Sequence, residues 1–171
     1  MKLLSKIDSV LIVFFETVMT TANIVICAML LIGAFMRYVL HKDFYGMEEL
    51  VLMVAFWMYF VGSAVATREE SQVSADLVSS MLKSEKASAI MTLVRTVLTL
   101  ILFGVLAKWA WDYLAWSLAM RPTSAVFKLP MTIAHSSLFF SFFMSVLYEL
   151  KHVCHAVVVM HKAFGPKEDT P

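Results

Sequence analysis

Long stretches without a charged residue dominate the chain. Thr17–Met36 and Leu129–Tyr148 each run for 20 residues without Asp, Glu, Lys or Arg, and Leu50–Thr67 runs for 18. An α-helix rising about 1.5 Å per residue needs roughly 20 residues to cross a hydrocarbon core about 30 Å thick. Each run therefore predicts one membrane-crossing helix. A further stretch, between Arg95 and Lys108, has only 12 uncharged residues. Its flanks extend it: Arg95 has a stem long enough to reach one headgroup layer, and Trp109, Trp111, Tyr113 and Trp116 form an aromatic cluster suited to the other. The 16 steps from Arg95 to Trp111 make about 24 Å of helix, close to one bilayer core.

These runs are continuous rather than alternating, and only helices or closed barrels satisfy the backbone in lipid. The expected fold is an all-α integral membrane protein with four transmembrane helices near residues 10–37, 47–67, 89–118 and 130–152. They form one membrane domain over residues 1–165, followed by a tail over 166–171. Between the second and third spans, Val73, Leu77, Val78, Met81 and Leu82 fall on one side and Ser79, Ser80, Lys83 and Ser84 on the other. That spacing predicts a short amphipathic helix over about 73–86, lying on the membrane surface or packed as an ordinary connector.

Hydrophobic residues make up 60% of the chain, and mean hydropathy is +0.78; soluble domains are about 45–50% apolar. A net charge of +1, with no basic patch interleaved with aromatics, sets nucleic-acid binding aside. Lys and Arg are unevenly distributed. Lys2, Lys6, Arg68, Lys83, Lys86, Lys151, Lys162 and Lys167 flank one side of the spans, and Arg37, Lys42, Arg121 and Lys128 the other. The positive-inside rule then places both termini in the cytoplasm. Met1–Lys6 resembles the start of a signal peptide, but the apolar run that follows is too long for one, so it is expected to remain as the first helix. Cys27 and Cys154 suggest isolated thiols rather than a disulfide framework.

Ionisable groups within spans are costly and require an explanation. Glu16 and Arg95 lie at equal depth from the same membrane face, which predicts an ion pair between the first and third helices; a proton-coupling carboxylate at Glu16 is the sharper alternative. Near the opposite face Arg37, Glu48, Glu49, Lys108 and Asp112 could form a charged collar that orients three helices or docks a soluble partner. In the second helix Gly62 and Ala66, like Ser63 and Thr67, are four residues apart and form a small-residue strip that allows close backbone approach. Trp57 lies near mid-bilayer, where its indole N–H needs an acceptor from a neighbouring helix or a partner subunit. His152, Cys154, His155 and His161 read as interfacial residues rather than metal ligands, and His135 has no second histidine at its depth to share a haem. No nucleophile–base constellation and no glycine-rich phosphate loop appears, which argues against an enzyme.

Arg37 and Tyr38 close the first helix; Glu48, Glu49 and Leu50 open the second; Phe56, Trp57, Phe60, Gly62, Ser63 and Ala64 follow. Arg68 comes next, then Val73, Ala75, Asp76 and Leu77, with Gln72 where many relatives carry His, and Lys128, Leu129 and Pro130 lead into the fourth helix. This succession resembles the small membrane subunit, DctQ-like or SiaQ-like, of tripartite ATP-independent periplasmic (TRAP) transporters. The resemblance implies a bacterial inner-membrane scaffold working with a large membrane subunit and a periplasmic substrate-binding protein in Na⁺-coupled uptake of an organic acid, sialic acid or a C4-dicarboxylate. Na⁺ and substrate are then expected on the large subunit, with no cofactor on this chain, whose partners are those two proteins and membrane lipid. Trp57, Gly62, Ala66, Phe56 and Phe60 are the expected packing or subunit-interface residues, and Arg68 and Asp76 mark the motif after the second span. Two other readings stand beside it: a small proton-coupled multidrug-type exporter using Glu16, and a membrane anchor for a respiratory complex.

Overall fold

Each apolar run forms one long helix. The computed structural model describes residues 2–69 and 85–164, and places in them α1 (Lys2–Tyr38), α2 (Met47–Arg68), α3 (Glu85–Met120) and α4 (Thr132–Phe164). All four are long and apolar enough to span a membrane. Helix α4 continues well past the expected end near residue 152, so His155 and His161 stand on regular helix. Most of the surface helix expected over 73–86, together with Gln72 and Asp76, lies outside the described residues; Glu85 and Lys86 open α3.

The turns follow from local chemistry. Gly46 precedes α2 with a left-handed backbone, φ 86°, which glycine adopts without steric cost. Glu48 and Glu49 sit in the first turn of α2 and Arg68 in its last, each sign matched to the helix dipole. Arg121 closes α3 in the left-handed region, φ 48°, its N–H donating to Ser117 O at 2.9 Å; Pro122 then prevents continuation. Residues 122–131 form a tight loop in which Ser124 N–H donates to Leu129 O and Met131 N–H to Pro122 O, both at 2.9 Å. Pro130 belongs to this loop, two residues ahead of α4.

Among the described residues, three helix pairs have backbones in close contact: α1 with α2, α2 with α4, and α4 with α3. The order across the molecule is thus α1–α2–α4–α3, with α2 and α4 central. Contacts between α2 and α4 advance together, from Trp57 with Ile133 to Thr67 with Ser145, so these two helices run parallel, while the α1–α2 and α3–α4 pairs are antiparallel. Phe15, Val61, Val65 and Tyr148 form the buried core where α1, α2 and α4 meet. Only 6% of the most apolar stretch of α1 is buried, against 28% in α4, and the difference reflects their flanking and central positions.

Candidate functional site

Among the described residues, buried polar side chains join helix to helix. On α4, Ser137, Ser141 and Ser145 recur every four residues and are fully buried. Ser141 Oγ donates to Phe60 O of α2, and Ser145 Oγ lies 3.2 Å from Thr67 Oγ1, which itself donates to Ser63 O at 2.9 Å. His152 Nε2 reaches Thr67 O at 3.2 Å. Small side chains allow the parallel helices to approach; the Ser141 and Ser145 hydroxyls find partners on α2, while Ser137 Oγ donates to Ala134 O of its own helix at 2.6 Å. The Ser-x3-Ser-x3-Ser spacing is the sequence signal of this strip, which meets Phe60 and Thr67 of α2.

Trp57 finds its acceptor within the chain: Nε1–H donates to Ile133 O at 3.0 Å. Phe56 packs on Phe60, and Phe60 on Phe142 of α4. Gly62 faces α1, where a Cβ would come 3.2 Å from the Met19 terminal methyl. Ala66 shares the same small strip, one turn on. Trp57 and Phe60 thus touch α4, and Gly62 touches α1, inside the subunit.

At the end of the molecule where α1 begins, Arg68 forms a two-pronged bond with Asp8, Nε to Oδ1 at 3.1 Å and Nη2 to Oδ2 at 2.9 Å. Lys151 Nζ lies 3.9 Å from Asp8 Oδ2. One carboxylate thus ties α1 to α2 and α4. Asp8 was not singled out by sequence reasoning, because its partners are 60 and 143 positions away. Just inside this tie the Tyr148 hydroxyl is buried and has no hydrogen-bond partner among the described residues.

The opposite end is latched differently. The Glu49 carboxylate accepts Val126 N–H at 2.7 Å and Phe127 N–H at 3.0 Å. A Cβ on Gly46 would meet Phe127 at 2.6 Å and Val126 at 2.9 Å, and Phe44 packs on Phe127. The α1–α2 turn and the α3–α4 loop are thereby locked together. A single charged collar does not form. Arg37 is 3.9 Å from Asp43, with both side chains exposed; Lys108 pairs with Asp112 one turn along α3; Glu48 lines a cleft of about 540 Å³ between the end of α1 and the turn; Glu49 holds the loop. Arg37 on α1 does not meet Lys108 and Asp112 on α3 because α2 and α4 stand between those helices.

The same arrangement separates Glu16 from Arg95. The expected ion pair is not made, since α2 and α4 stand between their helices and Glu16 is exposed on the outer side of α1; equal depth does not make two helices neighbours. His135 is buried and uses both ring nitrogens, Nε2 at 3.0 Å from Tyr113 Oη and Nδ1 at 2.8 Å from Ser117 Oγ. Those bonds join α3 to α4 and leave neither nitrogen directed at a prosthetic group.

The family of tripartite ATP-independent periplasmic transporters, DctQ component, matches residues 26–158. The chain belongs to this family. It is thus the small permease subunit of a TRAP transporter, a multi-pass membrane protein from a transport family rather than an enzyme family. No curated protein matches the chain closely. The matched segment covers α2, α3, the Glu49 latch, the serine strip and Trp57, while the carboxylate of the terminal tie, Asp8, precedes it. Membership in the DctQ family takes the place of the exporter and respiratory-anchor readings, in agreement with an outward-facing Glu16 and a His135 fully engaged in joining helices.

Proposed function

We propose that this DctQ-type chain is the fixed brace of a Na⁺-coupled TRAP transporter in a bacterial inner membrane, with both termini in the cytoplasm. It enlarges the membrane footprint of the large subunit, which carries Na⁺ and the organic acid, sialic acid or a C4-dicarboxylate, while a periplasmic receptor delivers the substrate. The observation that carries this reading is the two-ended latching of the helix row: Asp8–Arg68–Lys151 at one end and Glu49 with the α3–α4 loop at the other. A brace must resist shear between its helices, and ties at both ends oppose it.

The test is reconstitution. The chain alone in proteoliposomes should give no flux of either substrate under an inward Na⁺ gradient, and flux should require the large subunit and receptor together. Substrate movement driven by this chain without companions would overturn the reading.

A further inference from the structure

The two flanking helices present different outer faces. At the middle of α3 the exposed positions are aliphatic: Leu98 (56%), Ile101 (57%), Leu102 (64%) and Val105. Lipid tails need nothing more. On α1, by contrast, Glu16, Thr20, Asn23 and Cys27 are all exposed. Their spacings of four, three and four place them on one stripe of the helix.

This polar stripe flanks the contact with α2 and continues onto it. Met19, Thr20 and Asn23 of α1 and Met58, Tyr59 and Gly62 of α2 line a groove of about 470 Å³. Tyr59 is 69% exposed. Within the stripe Cys27 Sγ donates to Asn23 Oδ1 at 3.4 Å. Among the described residues the Asn23 amide N–H groups, the Tyr59 hydroxyl, the Thr20 hydroxyl and the Glu16 carboxylate have no partner in the subunit. Asn23 is midway along the apolar stretch Asp8–Tyr38, and Tyr59 lies near the middle of α2. Hydrocarbon cannot hydrogen-bond these groups, whereas a second helix can.

We infer that the Glu16–Thr20–Asn23–Cys27 stripe and the Tyr59 groove form the seat for one transmembrane helix of the large permease subunit. This deepens the brace reading and rests on it. The chemistry specifies the occupant: a basic or hydrogen-bond-donating side chain at the level of Glu16, an acceptor facing the Asn23 amide, and a side chain slender enough to enter the groove beside Gly62. The aliphatic face of α3 is left to lipid.

The test uses the intact complex, co-expressed in membranes, with a photo-cross-linking benzoylphenylalanine placed at position 20 or 27 and, as control, at position 102. Positions 20 and 27 should give an adduct with the combined mass of this chain and the large subunit; position 102 should not. E16Q and N23L should each lower co-purified large subunit several-fold without moving the thermal midpoint of the isolated chain, and L102A should change neither. Adducts at twice the mass of this chain would assign the seat to a second copy and overturn the inference. An intact complex without adducts from positions 20 and 27 would make the stripe a lipid face and overturn it equally. If the unsubstituted chain fails to co-purify with a large subunit, the brace reading itself fails, and that is seen before any substitution is made.

Discussion

Arg68 and Asp8 are 60 residues apart in sequence and meet through two parallel hydrogen bonds, 3.1 and 2.9 Å long, with about a quarter of each side chain exposed. Arginine suits this position because its planar fork matches both carboxylate oxygens at once, and its stem can lie along apolar surface. The pair ties the first turns of α1 to the last turn of α2. Lys151 brings α4 to the same carboxylate.

Removing either partner should therefore destabilise the subunit. D8A or R68A is expected to cost about 1–2 kcal/mol, allowing for the exposure of the pair, and R68K should not restore it because a lysine cannot bond both oxygens in one geometry. Thermal unfolding of the detergent-solubilised protein measures the effect. An additive D8A/R68A double mutant would show that the two side chains do not act together.

Tyr148 offers the opposite expectation. Its ring belongs to the core with Phe15, Val61 and Val65, but its buried hydroxyl has no hydrogen-bond partner among the described residues. Y148F keeps the shape and removes an unsatisfied polar group, so it should be neutral or stabilising by up to about 1 kcal/mol. A marked fall in thermal midpoint would reveal that the hydroxyl is bonded in the membrane.

Glu49 acts as a latch for a loop on another helix pair. E49A leaves the N–H groups of Val126 and Phe127 without their acceptor, so amide hydrogen exchange at those two positions should rise at least tenfold, with little change in the middle of α2. E49Q retains one strong acceptor oxygen and should fall between. Equal exchange in all three proteins would dispose of the latch.

Gly62 separates tolerance from rupture. The Met19 methyl, which would lie 3.2 Å from a Cβ at this position, is the far end of a flexible side chain, so G62A should be nearly neutral. G62F must push α1 away from α2, with a cost of about 1–3 kcal/mol typical of overpacking, and a cysteine pair bridging α1 and α2 should then form a disulfide more slowly. Unchanged cross-linking in G62F would mean that α1 does not rest on this glycine.

The four spans among the described residues, and the regions they occupy, were legible in the linear pattern. An uncharged run of 18 to 20 residues has few physical alternatives to a crossing helix, and the ends carry their own signals at Gly46, Glu48, Glu49, Arg121 and Pro122. Trp57 was also legible as a group in need of an acceptor, because a mid-helix indole N–H cannot stay unbonded at little cost in lipid. The small strip at Gly62 and Ala66 did not say which helix it faces: a Cβ on Gly62 would meet the Met19 side chain of α1.

Partnership was decided only by the tertiary structure. Depth along the membrane normal follows from counting residues, and it placed Glu16 level with Arg95; lateral order does not follow from counting, and α2 and α4 stand between them. For the same reason Asp8 acquires Arg68 and Lys151, Glu49 acquires the backbone of a loop some 77 positions later, and His135 becomes a tie between α3 and α4. Hydropathy is a one-dimensional property that burial in lipid makes decisive, so the sequence by itself determined that four spans form and roughly which stretches they occupy, though not how far α4 continues beyond residue 152. Which faces meet depends on how those cylinders pack side by side, a two-dimensional problem settled by small residues, single hydrogen bonds and shape.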